Sequence, residues 1–182
     1  MLSDLRKSFN RRSLTDPSFG FLFDEDTSGE VVVLAVGATS FEPAQADLLE
    51  LTAIVIQGNR LLTSTRLHLK VGDEAGSAEA AALALLRFAG SRPLVGYYLK
   101  FAIDVLDRLV RPLIGVQIPN ERIEVSSLYY DQRRVPASRI PADLRFDSIL
   151  RDLDLPERGE AGSLDDAVSA GLIYLTLRPP SS

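Results

Sequence analysis

Side-chain chemistry in a chain without cysteine rests on carboxylates, hydroxyls, amines and histidine. This chain of 182 residues has no Cys and a single His, His68. Thiol nucleophiles, disulfides, Cys-ligated zinc and iron–sulfur clusters are therefore excluded, and no His-rich metal centre can form. Acids are plentiful: 25 Asp and Glu stand against 20 Lys and Arg, a formal net charge of −5. Composition thus leaves open a hard-cation site made of carboxylate oxygens. It argues against general binding of polyanions, although a local basic patch could still meet one.

Each candidate residue has a structural reading beside a chemical one. Asp166 follows Ser163 by three positions, a capping-box spacing that explains the acid by itself. A residual metal or nucleotide contact is the alternative. His68 stands mid-strand between Arg66 and Lys70 and reads as a surface strand residue. Tyr97 and Tyr98 could stack on bases, but their apolar neighbours favour packing. Arg133 and Arg134, with Arg139 nearby, form a basic loop. Arg11 and Arg12, with Arg6 and Lys7, form the basic side of an N-terminal amphipathic helix whose apolar side is Leu2, Leu5 and Phe9. Both groups read as solvated surface, with nucleic-acid phosphate contact as the alternative.

The elements that must position these residues follow from periodicity. Residues 31–36 are an unbroken apolar run, as in a strand buried on both faces. Residues 49–56 are β-rich, and the following Gln57-Gly58-Asn59-Arg60 has hairpin-turn chemistry. Residues 60–71 alternate, with Leu62, Ser64, Arg66, His68 and Lys70 on one face and Leu61, Leu67, Leu69 and Val71 on the other. Ser77 caps a helix to about Ala89. Residues 93–96 form a short buried strand. A helix over 99–111 has Asp104–Arg108 and Asp107–Arg111 as ion pairs on its wet side, and Pro112 and Gly115 end it. A fifth strand at 123–126, a helix at 142–152 and a last helix at 163–177 complete the order β-β-β-α-β-α-β-α-α. The domain division is an N-terminal extension (1–29), whose Phe19–Phe23 run tucks under the domain edge, a main domain (30–177) and a frayed tail (178–182). The expected fold is α/β and ribonuclease H-like: a mixed five-stranded sheet, three antiparallel strands followed by α/β crossovers, flanked by helices. No apolar run approaches the roughly 18 residues of a membrane helix. The first residues lack the unbroken apolar core of a signal peptide. The expected location is the cytoplasm.

Three stretches carry a more specific likeness: Gly96-Tyr97-Tyr98-Leu99-Lys100-Phe101, residues 108–130, and the lead-in from Asp16-Pro17 to Phe23. On these, residues 30–177 resemble the DnaQ-like 3′–5′ exonucleases, the DNA polymerase III epsilon type of the DEDD superfamily. The likeness is strongest to a bacterial subgroup whose second motif opens Gly-Tyr-Tyr. The resemblance implies a two-metal (Mg or Mn) site held by four carboxylates, with a His as general base, for in-line attack on a phosphodiester.

Position by position, that machinery is missing. The first motif's Asp and Glu fall on Ala35 and Gly37, ahead of Phe41-Glu42-Pro43. The second motif's Asp falls on Ala102, and the third motif's His on Ala161. Asp166 alone is retained. The segment between the third strand and Ser77 is also shorter than the family's. The resemblance therefore implies a pseudo-exonuclease with no intact catalytic residue and no tight metal binding, kept as a protein-interaction or ligand-binding module. Its partner would be an active paralogue or a CBS-domain signalling protein. Two alternatives stand: a metal-dependent exonuclease with a site rearranged around Asp166, Glu160 and Glu42, and a nucleic-acid binder without turnover.

Overall fold

The apolar run at 31–36 becomes β1 (Val31–Ala38), the middle strand of a five-stranded sheet. In this computed structural model, residues 11–73, 76–133 and 142–178 are described. β2 (Leu48–Gln57) pairs antiparallel with β1 and with β3 (Arg60–Lys70). β4 (Leu94–Gly96) and β5 (Arg122–Glu124) extend the other side in parallel with β1, giving the order β3-β2-β1-β4-β5. This is the expected mixed sheet. The N-terminal helix expected before residue 11 lies outside the described residues, as do Arg134 and Arg139.

Helices cover both faces. α1 (Ala78–Ala89) and α2 (Leu99–Ile114) pack on one, over Val32 and Leu34, together with a 3-10 turn at Pro17–Phe23. Phe19, Leu22 and Phe23 are buried there, as the sequence suggests. α3 (Val125–Arg133), α4 (Phe146–Asp152) and α5 (Ser163–Leu177) pack on the other, over Val31 and Val33. Successive β1 side chains thus enter opposite cores, which is why that strand has no polar position. Ser77 caps α1 as expected, accepting from the Ala80 amide at 3.1 Å. No helix among the described residues is long and apolar enough to cross a membrane.

Several local expectations are corrected. β3 does not alternate throughout. A register shift opposite Ile54 and Val55 places Leu62 with Leu67 and Leu69 in the α1–α2 core and Leu61 in the α5 core. α2 runs through Pro112 to Ile114, because a proline near the end removes a single rung; Gly115, at φ 82°, closes it. Asp107 turns inward and accepts the Ile118 amide at 2.7 Å, and Asp104 pairs with Lys100 at 2.5 Å. Arg108 reaches instead to the carbonyls of Pro43 and Ala44, at 3.0 and 2.5 Å, and of Ala46, tying down the loop after β1. The fifth strand stops at Glu124, and α3 follows at once, anchored by buried Val125 and Tyr129 at helical spacing. The helix expected from 142 starts at Phe146.

Candidate functional site: a cleft with an apolar floor

The C-terminal ends of β1 and β4 open into a cleft of about 380 Å³. In a sheet of this kind that is where ligands sit. Ala35 and Val36 come from β1, Phe101 and Ala102 from α2, Phe146 and Asp147 from α4, and Asp166 from α5. Phe41, Tyr97, Tyr98, Arg145 and Arg158 complete the lining. Three of the five positions matched to the family's motifs, Ala35, Ala102 and Asp166, are therefore gathered in one place, with Tyr97 and Tyr98 beside them. Ala161 is exposed at the approach to α5.

The floor is apolar where the resemblance implies acids. Ala102 is buried and Ala35 partly so. Gly37 faces Glu50 across β1 and β2. A Cβ built on Gly37 would lie 2.8 Å from the Glu50 Cγ, so the Glu50 side chain fills the space a residue at 37 would need. Glu50 is put to use: its Oε1 accepts the Ser163 amide at 2.6 Å, satisfying one of the free N–H groups at the start of α5.

Asp166 does not form a capping box. The residue before α5 is Gly162, which has no side chain to cap the helix, and the first amide is satisfied by Glu50 from β2. Ser163 is buried, and its hydroxyl is 2.8 Å from the Thr52 hydroxyl, which is also 2.8 Å from the His68 Nδ1. His68 is therefore half-buried and hydrogen-bonded to a core threonine, rather than a free surface residue. Asp166 turns to Arg158, whose Nη1 donates to its Oδ1 at 2.9 Å. Arg158 Nε and Nη2 donate to Asp147 at 2.7 and 3.1 Å, and the guanidinium carbon lies 4.9 Å from the Phe146 ring centre. This pairing holds the Asp147 carboxyl below the usual carboxylate range and pushes the Arg158 guanidinium up. Sequence reasoning missed Arg158, Asp147 and Glu50.

The mouth is aromatic. Tyr97 packs, as expected, stacking on Phe146 at 4.2 Å and donating its hydroxyl to the Leu144 carbonyl at 3.0 Å. Tyr98 is 54% exposed and stacks on Phe101 at 5.5 Å, while Phe41, 83% exposed, lies 6.1 Å from the same ring. Tyr98 holds the left-handed conformation, φ 54°, unusual for a bulky residue. The Glu124 carboxylate stabilises that turn by accepting the amides of Tyr98 and Leu99 at 3.1 and 2.7 Å.

The donors present do not fit a two-metal centre. Ala35, Gly37 and Ala102 offer no side-chain oxygen, and Asp166 is engaged by a cation of the chain itself. Among the described residues no group of three or more His, Asp or Glu is placed to hold a metal ion. Glu160 lines an adjoining groove of about 320 Å³ with Asp147, Arg158 and Asp166, whereas Glu42 is exposed on the loop after β1. Arg11 pairs with Asp24 at 3.2 Å, and Arg12 is exposed. Arg133 is joined to Asp152 and lies over the Tyr129 ring at 5.6 Å.

The sheet order and its helical layers define a ribonuclease H-like α/β fold of the kind found in exonucleases. No family model matches the sequence, and no curated protein does. Solved structures share the fold. An exonuclease I complexed with an SSB C-terminal segment superposes with a TM-score of 0.63 at 10% identity, over 82% of this chain and 41% of that one. E. coli exonuclease I bound to a dT13 oligonucleotide gives 0.63 at 9% identity, over 82% and 40%. Cell-death related nuclease 4 gives 0.60 at 12% identity, over 80% and 62%. The chain thus spans about 40% of exonuclease I and 62% of the cell-death nuclease.

Proposed function

We propose that this chain is a pseudo-exonuclease of the DnaQ-like type: the exonuclease fold is kept, phosphodiester cleavage is lost, and the cleft serves as an interaction or ligand-binding surface. The observation that carries this reading is the apolar floor, with Ala35 and Ala102 where acids are implied and Gly37 filled over by Glu50. Without oxygen donors there, two divalent ions would keep most of their charge uncompensated.

The surroundings favour protein contact over a nucleic-acid backbone. Among the described residues, the two cations that line the cleft are already paired: Arg158 with Asp147 and Asp166, and Arg145 with Asp143. A cation held by a carboxylate offers little to a phosphate. The exposed rings of Phe41 and Tyr98 offer aromatic surface of the kind that anchors protein interfaces. The partner expected from the resemblance is an active paralogue or a CBS-domain signalling protein. A divalent-metal titration run beside an exonuclease assay on single-stranded DNA tests the loss of cleavage.

A further inference from the structure

Arg158 lies on the connection between α4 and α5, far from either helix in helical register, yet three of its N–H groups are spent on two carboxylates. Two go to Asp147 in the first turn of α4 and one to Asp166 in the first turn of α5. The guanidinium also lies over Phe146. Asp147, Arg158 and Asp166 line both the main cleft and the adjoining groove, so together they form the wall between the two.

We propose that Arg158 is the built-in counter-cation of this cleft, doing from within the chain what a bound divalent ion would otherwise have to do. Two carboxylates brought to one wall repel each other unless a cation lies between them. A planar fork of fixed N–H groups can engage both at once, which an ammonium cannot match in geometry. The same bonds clip the α4–α5 connection across the cleft and set the wall's position. With three of its five N–H groups and its charge committed to two carboxylates, Arg158 is a poor receptor for phosphate. It accounts for the persistence of Asp166 without a metal.

The test is thermal melting of the wild type, Arg158→Ala and Arg158→Lys. Each is melted in sodium chloride, in magnesium or manganese chloride of matched ionic strength, and in millimolar guanidinium chloride. The wild type is expected to melt at the same temperature in all of them. Arg158→Ala is expected to melt lower by about 3–6 °C, the shift for losing a partly exposed, charge-assisted pair in a chain of this size. Guanidinium or manganese should restore part of that loss, and the further change Asp147→Asn should abolish the restoration. Arg158→Lys should fall between the two, and it keeps the test available if Arg158→Ala does not fold. Wild-type stabilisation by manganese as large as the variant's would overturn the proposal. So would Arg158→Lys melting like the wild type, or no response of Arg158→Ala to either cation. The melting series reads the counter-cation alone; cleavage by the wild type would strike the proposed loss of catalysis instead.

Discussion

Gly37 and Glu50 face each other across β1 and β2, and the Glu50 side chain occupies the space over Gly37 that any Cβ there would need. The absence of a side chain at position 37 and the Glu50 bond to the start of α5 are therefore one arrangement, since a Cβ at 37 would meet the Glu50 side chain that holds the Ser163 amide. Introducing an acid at 37 alone should fail. Gly37→Glu is expected to destabilise the fold by about 2–4 kcal/mol, from overpacking and displacement of Glu50 from its charged hydrogen bond. Gly37→Glu combined with Glu50→Ala should cost less than the sum of the two single changes. Urea melts of the three variants check this, and strict additivity would show that the residues do not compete for one space.

The second expectation concerns the polar chain beneath α5. Thr52 is fully buried and stands between His68 and Ser163. Thr52→Val keeps the shape and leaves two hydrogen-bonding groups without their partner, so it should cost about 1–3 kcal/mol. Thr52→Ser, which keeps the hydroxyl, should cost clearly less. Equal losses in chemical denaturation would mean that packing, and not the network, matters at this position.

A third concerns pH. Burial pushes the Asp107 carboxyl above the usual carboxylate range, against the opposing effect of the Ile118 amide and Arg122. A carboxyl with a raised folded pKa binds its proton more tightly in the folded state. Its contribution therefore favours folding at low pH and is lost as pH rises from the ordinary value of 3.8 through the raised one. Asp107→Asn keeps an acceptor for Ile118 and removes the titration. The variant should gain stability relative to the wild type as pH rises through that window. A difference independent of pH between acid and neutral conditions would contradict this.

The aromatic mouth supplies a fourth. Phe41 is 83% exposed, so Phe41→Ser should change stability by no more than about 0.5 kcal/mol. If the cleft is an interaction surface, Phe41→Ser and Tyr98→Ser should each weaken the native complex by about tenfold or more, as anchor residues do. Isothermal titration with the purified partner measures it, and unchanged affinity in both variants would move the interface elsewhere.

Much of the architecture was legible in the sequence because it depends on local signals. The apolar run at 31–36 marks the central strand, Ser77 marks the start of α1, and the Gly58-Asn59 turn joins β2 to β3. The resemblance also selected positions that the fold does bring together, Ala35, Ala102 and Asp166. What escaped depends on neighbours distant in sequence. Glu50 looks like an ordinary strand acid until its cross-strand partner is known to be a glycine. Asp107 has an arginine four residues on and so reads as a surface pair, yet the fold turns it toward the Ile118 amide. Arg158 stands in an irregular, charged connection with no periodicity to mark it, and only the packing of α4 against α5 gives it Asp147 and Asp166 together. α3 was hidden for another reason: Val125 and Tyr129 carry its helical spacing, but they follow directly on a strand.

The proposed loss of phosphodiester cleavage rests on the apolar floor of the cleft. Its most direct test is the exonuclease assay on single-stranded DNA across a magnesium and manganese titration, using the wild type and Asp166→Ala purified side by side. Neither protein is expected to shorten the DNA with either metal, and the two should not differ. Metal-dependent shortening by the wild type that is abolished in Asp166→Ala would contradict it.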